Sequence, residues 1–440
     1  MAEIAYQVVQ RRGTMKFLFV HQNFPGQHVH VVRYLQETGH TVAFITQRRD
    51  YEIAGVRMLE YLPAPMLPAA QSYVNDVDSG VMNGLAVARL CEGLKAEGFT
   101  PDIVIGHTGW GELLFVKDIW PSVPLLGYFE FFYRSSGSDL NFDAEFPATL
   151  DDAMRVRIRN ATNLLSLDAA DWGYSPTKWQ RDQYPSVYRH RISVIHEGVN
   201  TERVHPDPTA RLWLRSGASL SREDQVLTYS ARNLEPYRGF HVLMRTLPKV
   251  LEACPKAQVV IVGGDGISYG RLPAAGIGWR QHMLSELGDR LDLSRVHFVG
   301  WLPYAQYLAI LQVSSAHVYL TYPFVLSWGL LEAMAAECLV IASRTPPVEE
   351  VVDGTSNGYL FDFFDTDALA QQICSALENP AASTAIRRQA RRYVVENFDT
   401  KTKTLPAHLA LISRLTGADL VPPTRKRRAA AARPELAAAR

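Results

Sequence analysis

Met15-Lys16-Phe17-Leu18-Phe19-Val20-His21-Gln22-Asn23-Phe24-Pro25-Gly26 is the stretch that sets the fold. From Phe17 to Val20 the run is apolar without alternation. That is the pattern of a strand covered on both faces, as in a parallel sheet. Pro25-Gly26 marks a loop. Val29, Val32, Tyr34 and Leu35 then recur at helical spacing, Gly39-His40 ends that helix, and Thr41-Val42-Ala43-Phe44-Ile45 is a second apolar run. Strand, loop, helix and strand within about thirty residues make a βαβ crossover.

The alternation continues outward. Residues 102–106, 123–128 and 192–195 read as further strands, and an Arg- and Leu-rich helix is expected over 150–170. The chain turns polar over 206–221, and then the pattern restarts. Gln225-Val226-Leu227-Thr228-Tyr229 reads as a strand, 240–251 as a helix and 257–262 as a strand ending in Gly263-Gly264. Residues 296–299, 317–320 and 339–342 repeat the strand pattern. Two such runs predict an α/β chain of two doubly wound, parallel-sheet, Rossmann-like domains facing across a cleft. The expected divisions are an N-terminal extension (1–14), a first domain (15–205), a second domain (206–395), a C-terminal helical segment packing back on the first domain (396–423) and a basic Ala/Arg-rich tail read as disordered (424–440).

The composition excludes several classes. The chain has 440 residues, with 45 Lys+Arg against 45 Asp+Glu, so its formal charge is zero. A neutral balance argues against a nucleic-acid or polyanion partner for the folded body. Its four cysteines, Cys91, Cys254, Cys338 and Cys374, form no CxxC pair, which suits a reducing compartment and gives no zinc ribbon or disulfide scaffold. No apolar run approaches a membrane span, and residues 1–14 lack the apolar core of a signal peptide. The expected location is the cytoplasm.

In doubly wound sheets, ligands bind beyond the carboxyl ends of the strands, so the loops that follow the strands are the candidates. His21 to Gln27, with Gly26, could hold a phosphate or sugar on backbone N–H groups, or be a plain turn; it has no GxGxxG. Arg232 and Arg238 flank a turn between a strand and a helix, and guanidinium forks suit phosphate oxygens. Gly264, in Gly263-Gly264-Asp265-Gly266, permits close backbone approach or merely a tight turn. Val325, Leu326, Ser327 and Trp328 lead into a helix that carries Glu332. This carboxylate could accept hydrogen bonds from a vicinal diol, or be a first-turn capping residue. His107 and Glu130 sit at strand ends in the first half. His28 and His30 lack a third ligand, so no metal site is expected.

The second half carries a set of motifs in order: Ser230-Ala231-Arg232-Asn233-Leu234 with Arg238-Gly239, Val262-Gly263-Gly264, His297-Phe298-Val299-Gly300, Leu331-Glu332-Ala333-Met334-Ala335, Pro346-Pro347-Val348-Glu349-Glu350, and Asp353-Gly354 with Asn357-Gly358-Tyr359-Leu360. With these the chain resembles, over about 15–395, the retaining glycosyltransferases of family 4, which have the GT-B architecture. The resemblance implies that Arg232 and Arg238 bind the donor diphosphate, with Arg at a place the family usually gives to Lys. It implies that Glu332 is the second Glu of an E-x7-E motif and holds the nucleotide ribose. Gly26, Gly264 and residues Val325, Leu326, Ser327 and Trp328 would contact the donor.

Two departures stand out. Phe324 occupies the position of the first Glu, which normally contacts donor-sugar hydroxyls; backbone amides of 325–328 could take over that contact. Glu130 lies where related enzymes commonly have His, and with His107 it is the candidate catalytic pair beside the two arginines.

The resemblance implies a metal-independent transfer with no cofactor, from a nucleotide-diphospho-sugar to a glycan, lipid-linked or other hydroxyl acceptor. A nucleotide-sugar epimerase and a binding protein with weakened catalysis are the alternatives. From Thr424 onward the chain has six basic residues and one acid, a net of +5 that offsets a body of −5. Such a tail could hold the protein loosely at an anionic membrane. Oligomeric state is not legible.

Overall fold

The computed structural model describes residues 13–48, 50–62, 73–214, 217–273 and 276–420. Its first sheet holds β1 (Lys16–Val20), β2 (Thr41–Thr46), β3 (Val56–Glu60), β4 (Ile103–His107), β5 (Leu125–Tyr128), β6 (Trp172–Ser175) and β7 (Ile192–Val194). The order is β3-β2-β1-β4-β5-β6-β7, and every pairing is parallel. The opening run explains itself here. Leu18 and Val20 face one core, Phe17 and Phe19 the other, and all four are fully buried. A strand buried on both sides has no position where a polar residue would be harmless, so its sequence does not alternate.

A short antiparallel hairpin, β8 (Leu212–Trp213) and β9 (Ser219–Leu220), follows. The second sheet holds β10 (Val226–Asn233), β11 (Gln258–Gly264), β12 (Val296–Gly300), β13 (Ala316–Tyr319), β14 (Val340–Ser343) and β15 (Tyr359–Phe361), in the order β12-β11-β10-β13-β14-β15, again all parallel. In both sheets the order reverses beside the domain's first strand, between β1 and β4 and between β10 and β13. These switch points are where doubly wound sheets leave a crevice.

The expected helix over 150–170 is two helices, Leu150–Arg159 and Ala161–Ala169. Thr149 starts the first with a capping box shared with Asp152. Asn160 divides them; its side chain bonds both backbone groups of Tyr133, at 2.8 and 3.0 Å.

Two segments tie the domains together. The stretch after β5 crosses to the second domain, where Phe131 joins the core. Further on, Tyr237 Oη donates to Asp139 (2.9 Å), Tyr322 Oη donates to Asp143 (2.6 Å), His241 meets Asp143 (3.0 Å), and Arg245 forks onto Glu145. The aromatic run 128–133 is thereby divided. Tyr128, Phe129 and Phe132 fill the two cores of the first domain, while Phe131 fills that of the second.

At the other end, the helix Thr384–Phe398 packs Ala390 and Val394 on the second domain. The chain then passes Asp399, whose carboxylate accepts from Thr201 Oγ1 (2.6 Å) and Thr402 N (2.8 Å). The helix Leu405–Thr416 lays Leu409, Leu411 and Ile412 against the core that holds Phe17, Phe19 and Tyr174. Residues 1–12 and 421–440, and with them the basic tail, lie outside the described residues. Among the described residues no helix is long and apolar enough to cross a membrane, and the four cysteines are free thiols.

Candidate active site in the interdomain cleft

On the first domain the β1/β4 switch point gathers a hydrogen-bonded relay that ends on Glu130. His21 follows β1 directly. Its Nδ1 accepts from Asn23 N (2.9 Å), so the proton of the neutral ring sits on Nε2 and faces Gln27 Oε1 at 2.6 Å. Burial holds the His21 pKa well below the ordinary imidazole value, which keeps the ring neutral. Gln27 Nε2 in turn donates to Glu130 Oε1 (3.0 Å). From the other side, Gly109 N donates to His107 Nδ1 (2.9 Å), and His107 Nε2 lies 3.4 Å from Glu130 Oε2. Trp110 stacks on the His107 ring with centroids 3.8 Å apart. Burial pushes the Glu130 pKa up, but the His107 and Gln27 bonds and the charge of Arg232 outweigh it, and the net shift is downward. Glu130 is therefore an ionised, fixed carboxylate whose side chain keeps 25% exposure. Gly26 packs against this relay: its φ is +53°, and a Cβ there would come within 2.9 Å of the His21 ring.

On the second domain the β10/β13 switch point supplies the cations. Arg232 lies near the end of β10. Its carbonyl accepts from Trp301 Nε1 (2.7 Å) while its side chain is exposed toward the cleft, close enough to Glu130 for its charge to act there. Gly264 ends β11 in the same corner, where a Cβ would meet Asn233 Oδ1 and Trp301 Nε1 at 2.6 Å. Arg238 differs from Arg232. It is buried, and its Nη1 donates to Thr321 Oγ1 (2.8 Å) and Val325 O (2.9 Å). Its guanidinium stands over the Tyr269 and Phe324 rings at 5.4 and 5.8 Å. Among the described residues no carboxylate pairs with it, so a buried cation faces the cleft loop without a counter-ion.

The loop after β13 feeds the helix Trp328–Ala335. Ser327 caps it, its Oγ accepting from Gly329 N (3.2 Å), and Ser327 N donates to Tyr319 Oη (2.9 Å). Of the amides expected to reach a sugar, that of Ser327 is thus already engaged, and the Val325 carbonyl belongs to Arg238. Leu326 is buried in the core beneath. Trp328 Nε1 donates to Glu197 Oε2 (3.2 Å), and Glu197 Oε1 accepts from Tyr128 Oη (2.5 Å). This pair links the helix start to β5.

Glu332 is the fifth residue of its helix, not a first-turn cap. Its Oε1 accepts from Tyr304 Oη (2.5 Å), and burial raises its pKa above the ordinary 4.5. A ribose diol needs the ionised form. Nucleotide binding is therefore expected to weaken as pH falls through a window above 4.5, and Glu332→Gln should lower affinity about 10-fold and flatten that acid limb. Calorimetric titration with UDP and GDP between pH 5 and 7.5 checks this. A flat response in the unaltered protein would remove Glu332 from the nucleotide site.

Phe324, at the place of the first Glu, is buried in an aromatic wall. Its ring centroid lies 4.6 Å from Phe131, 4.8 Å from Tyr269 and 5.6 Å from Tyr237. Phe131 comes from the other domain, so this position joins the two halves. Phe324→Ala is expected to cost about 3 kcal/mol of stability, read from chemical denaturation; a loss below about 1 kcal/mol would mean the wall is not structural.

The structure thus brings Glu130, His107 and Arg232 together, ties Arg238 to the loop 325–328 through Val325 O, and places Glu332 beside Tyr304. Sequence reasoning reached His21 and Gln27 only as the ends of a candidate phosphate- or sugar-binding loop. It missed their side-chain link to Glu130, and it missed Glu197 altogether.

Two doubly wound, parallel α/β domains, each with its switch point beside its first strand, make the GT-B architecture. The chain belongs to the family 4, group 1 glycosyltransferases: residues 38–204 match the glycosyl transferase family 4 group, and residues 215–393 match the glycosyl transferases group 1.

Among characterised relatives, a GDP-mannose-dependent alpha-(1-6)-phosphatidylinositol monomannoside mannosyltransferase of Mycolicibacterium smegmatis is 25% identical over 234 residues, covering 52% of this chain and 58% of that protein. A glycogen synthase of Mycobacterium tuberculosis is 27% identical over 212 residues, covering 48% and 46%. The matched stretch thus spans about half the length of these relatives.

Among solved structures, a sucrose-phosphate synthase from Thermosynechococcus elongatus superposes with a TM-score of 0.67 at 17% identity, covering 91% of this chain and 99% of that one. The HepE protein of Anabaena, in complex with UDP-glucose, gives 0.63 at 15% identity, covering 91% and 100%. At these identities the likeness speaks for the fold alone.

Proposed function

We propose that this protein is a retaining, metal-independent glycosyltransferase. It takes a sugar from a nucleotide-diphospho-sugar on the second domain and passes it to a hydroxyl of a glycan or lipid-linked acceptor on the first. One observation carries the reading: Glu130 and Arg232 stand at the carboxyl ends of the two sheets, each beside its switch point, and the charge of Arg232 reaches Glu130 across the cleft. Family membership supports it.

In this reading the diphosphate is met by Arg232, by Arg238 and by the N-terminus of the helix Trp328–Ala335, so charge that develops on the leaving group is held by fixed donors. Glu332 takes the ribose. Attack comes from the face the diphosphate leaves, with a donor phosphate oxygen accepting the acceptor proton. Glu130, held by Gln27 and His107, accepts from a sugar hydroxyl and orients it. With Phe324 closing the place of the first Glu, and Ser327 N and Val325 O engaged, Glu130 is the carboxylate left to read the transferred sugar.

A thermal-shift screen with nucleoside diphosphates and nucleotide sugars tests the binding half of this. Stabilisation by at least one nucleoside diphosphate is expected, and none with any base would defeat the reading. A second reading, a nucleotide-sugar-binding protein without turnover, is favoured by Phe324. Binding without any consumption of donor would select it.

A further inference from the structure

Glu197 stands where the chain passes between the domains, shortly after β7 ends at Val194. There the outgoing stretch of chain is pressed against the returning one. Val199 N donates to Phe398 O (2.8 Å), and Thr400 N donates to Val199 O (2.9 Å). At Gly198, whose φ is +89°, a Cβ would come within 2.2 Å of Thr404 Oγ1. Only glycine lets the two crossings lie this close. Thr404 Oγ1 also donates to the Glu197 carbonyl (3.1 Å), which fixes the Glu197 backbone at the crossing point.

From that point the side chain reaches both halves of the site. Oε1 accepts from Tyr128 Oη (2.5 Å); Tyr128 is the last residue of β5, just ahead of Glu130. Oε2 accepts from Trp328 Nε1 (3.2 Å); Trp328 is the first residue of the helix whose N-terminus meets the diphosphate in the transfer reading. The Glu197 side chain is buried, yet among the described residues no Lys or Arg pairs with it. Nδ1 of His196 lies 3.5 Å from Oε2, but it accepts from Gly198 N (2.9 Å) and has no proton to give. A carboxyl group kept from water among neutral donors costs stability, so packing alone does not account for it. We infer that Glu197 is a positioning residue, which holds the start of the donor helix in register with the end of β5 that carries Glu130. The inference rests on the transfer reading, which gives that register its use.

Hydrogen-bond chemistry sorts the substitutions at this tie. In Glu197→Gln the amide oxygen accepts from Trp328 Nε1. The amide NH2 donates to Tyr128 Oη, because a phenol accepts as well as donates. The tie survives that change. Glu197→Ala removes both bonds, and Trp328→Phe removes the one that crosses between the domains. Those two variants break the same link, so their effects on the helix start should not add.

Hydrogen exchange of the full chain without ligand, read by mass spectrometry over 324–334, reports how firmly the helix start is held. Glu197→Ala and Trp328→Phe should each speed exchange there about 10-fold, the double variant no further, and Glu197→Gln should match the parent. With a donor that is consumed, Glu197→Ala should lose about 10-fold or more in turnover, while nucleoside diphosphate affinity stays within about 2-fold. Glu197→Gln should recover most of that turnover. Unchanged exchange in Trp328→Phe, additive effects in the double variant, or a Glu197→Gln as impaired as Glu197→Ala would overturn the proposal. If Glu197→Ala does not fold, Trp328→Phe and Glu197→Gln decide the matter. If no donor is consumed, the transfer reading fails, and exchange still decides whether Glu197 holds the helix.

Discussion

Glu130→Gln is expected to lower turnover about 10²–10³-fold while nucleoside diphosphate affinity stays within about 2-fold. The amide keeps the shape of the side chain but offers one acceptor oxygen to two donors, Gln27 Nε2 and His107 Nε2, and it removes the negative charge that Arg232 acts on across the cleft. The loss should therefore fall on the transfer step and not on donor capture. The variant should also differ from the parent in its pH–stability profile. Because the folded-state pKa of Glu130 is depressed, its carboxylate adds stability that is present above the ordinary 4.5 and is lost as pH falls through the lowered value. The melting temperatures of parent and variant should differ at neutral pH and converge in acid. Equal turnover of parent and variant would leave Glu130 a structural carboxylate only.

The two arginines should separate when each is replaced by alanine. A hydrogen bond to a charged group is worth about 1.5–3 kcal/mol, so each variant should lose about 10- to 100-fold in nucleoside diphosphate affinity. Their stabilities should part company. Arg232 is exposed, and among the described residues its side chain makes no hydrogen bond within the protein, so Arg232→Ala should leave stability within about 0.5 kcal/mol. Arg238 is buried, holds Thr321 Oγ1 and Val325 O, and fills space under two rings. Arg238→Ala should cost about 2–4 kcal/mol as well as affinity, because it leaves a buried acceptor and a void together. Titration calorimetry and chemical denaturation on the same preparations give both numbers. If Arg232→Ala were the destabilised variant, or if neither lost affinity, the diphosphate assignment would fail.

The fold was legible because strands covered on both faces cannot alternate: Phe17 to Val20 and Val340 to Ala342 announce themselves by continuity. The parts that escaped lack that constraint. The edge strand Val56–Glu60 is only half-buried, so Arg57 and Glu60 break its apolar pattern. The long helix Asn75–Ala96 contains Gly80, Gly84 and Gly93, which read as breakers. In the structure Gly80 and Gly84 are where the helix backbone packs against Trp110-Gly111.

The site was legible in kind but not in wiring. The strand-end rule led to Arg232, Glu130 and His107. That His21 and Gln27 would close on Glu130 depends on β1, β4 and β5 lying side by side, which is a property of strand order. The crossing segment 131–152 carries no periodicity of its own. Its side chains are chosen by partners on the other domain, Asp139 for Tyr237 and Asp143 for Tyr322 and His241. Phe324 is the reverse case: the family resemblance implied that a carboxylate was missing, and only the structure shows the interdomain wall that stands in its place.

Donor consumption followed by mass spectrometry tests the central claim most directly. The protein would be incubated with GDP-mannose, UDP-glucose and other nucleotide sugars, with and without saccharide acceptors. At least one donor should be converted to its nucleoside diphosphate and a sugar product of the retained anomeric configuration, with Glu130→Gln slower by about 10²-fold or more. Donor that binds yet stays intact under every condition, or a product of inverted configuration, would contradict the account.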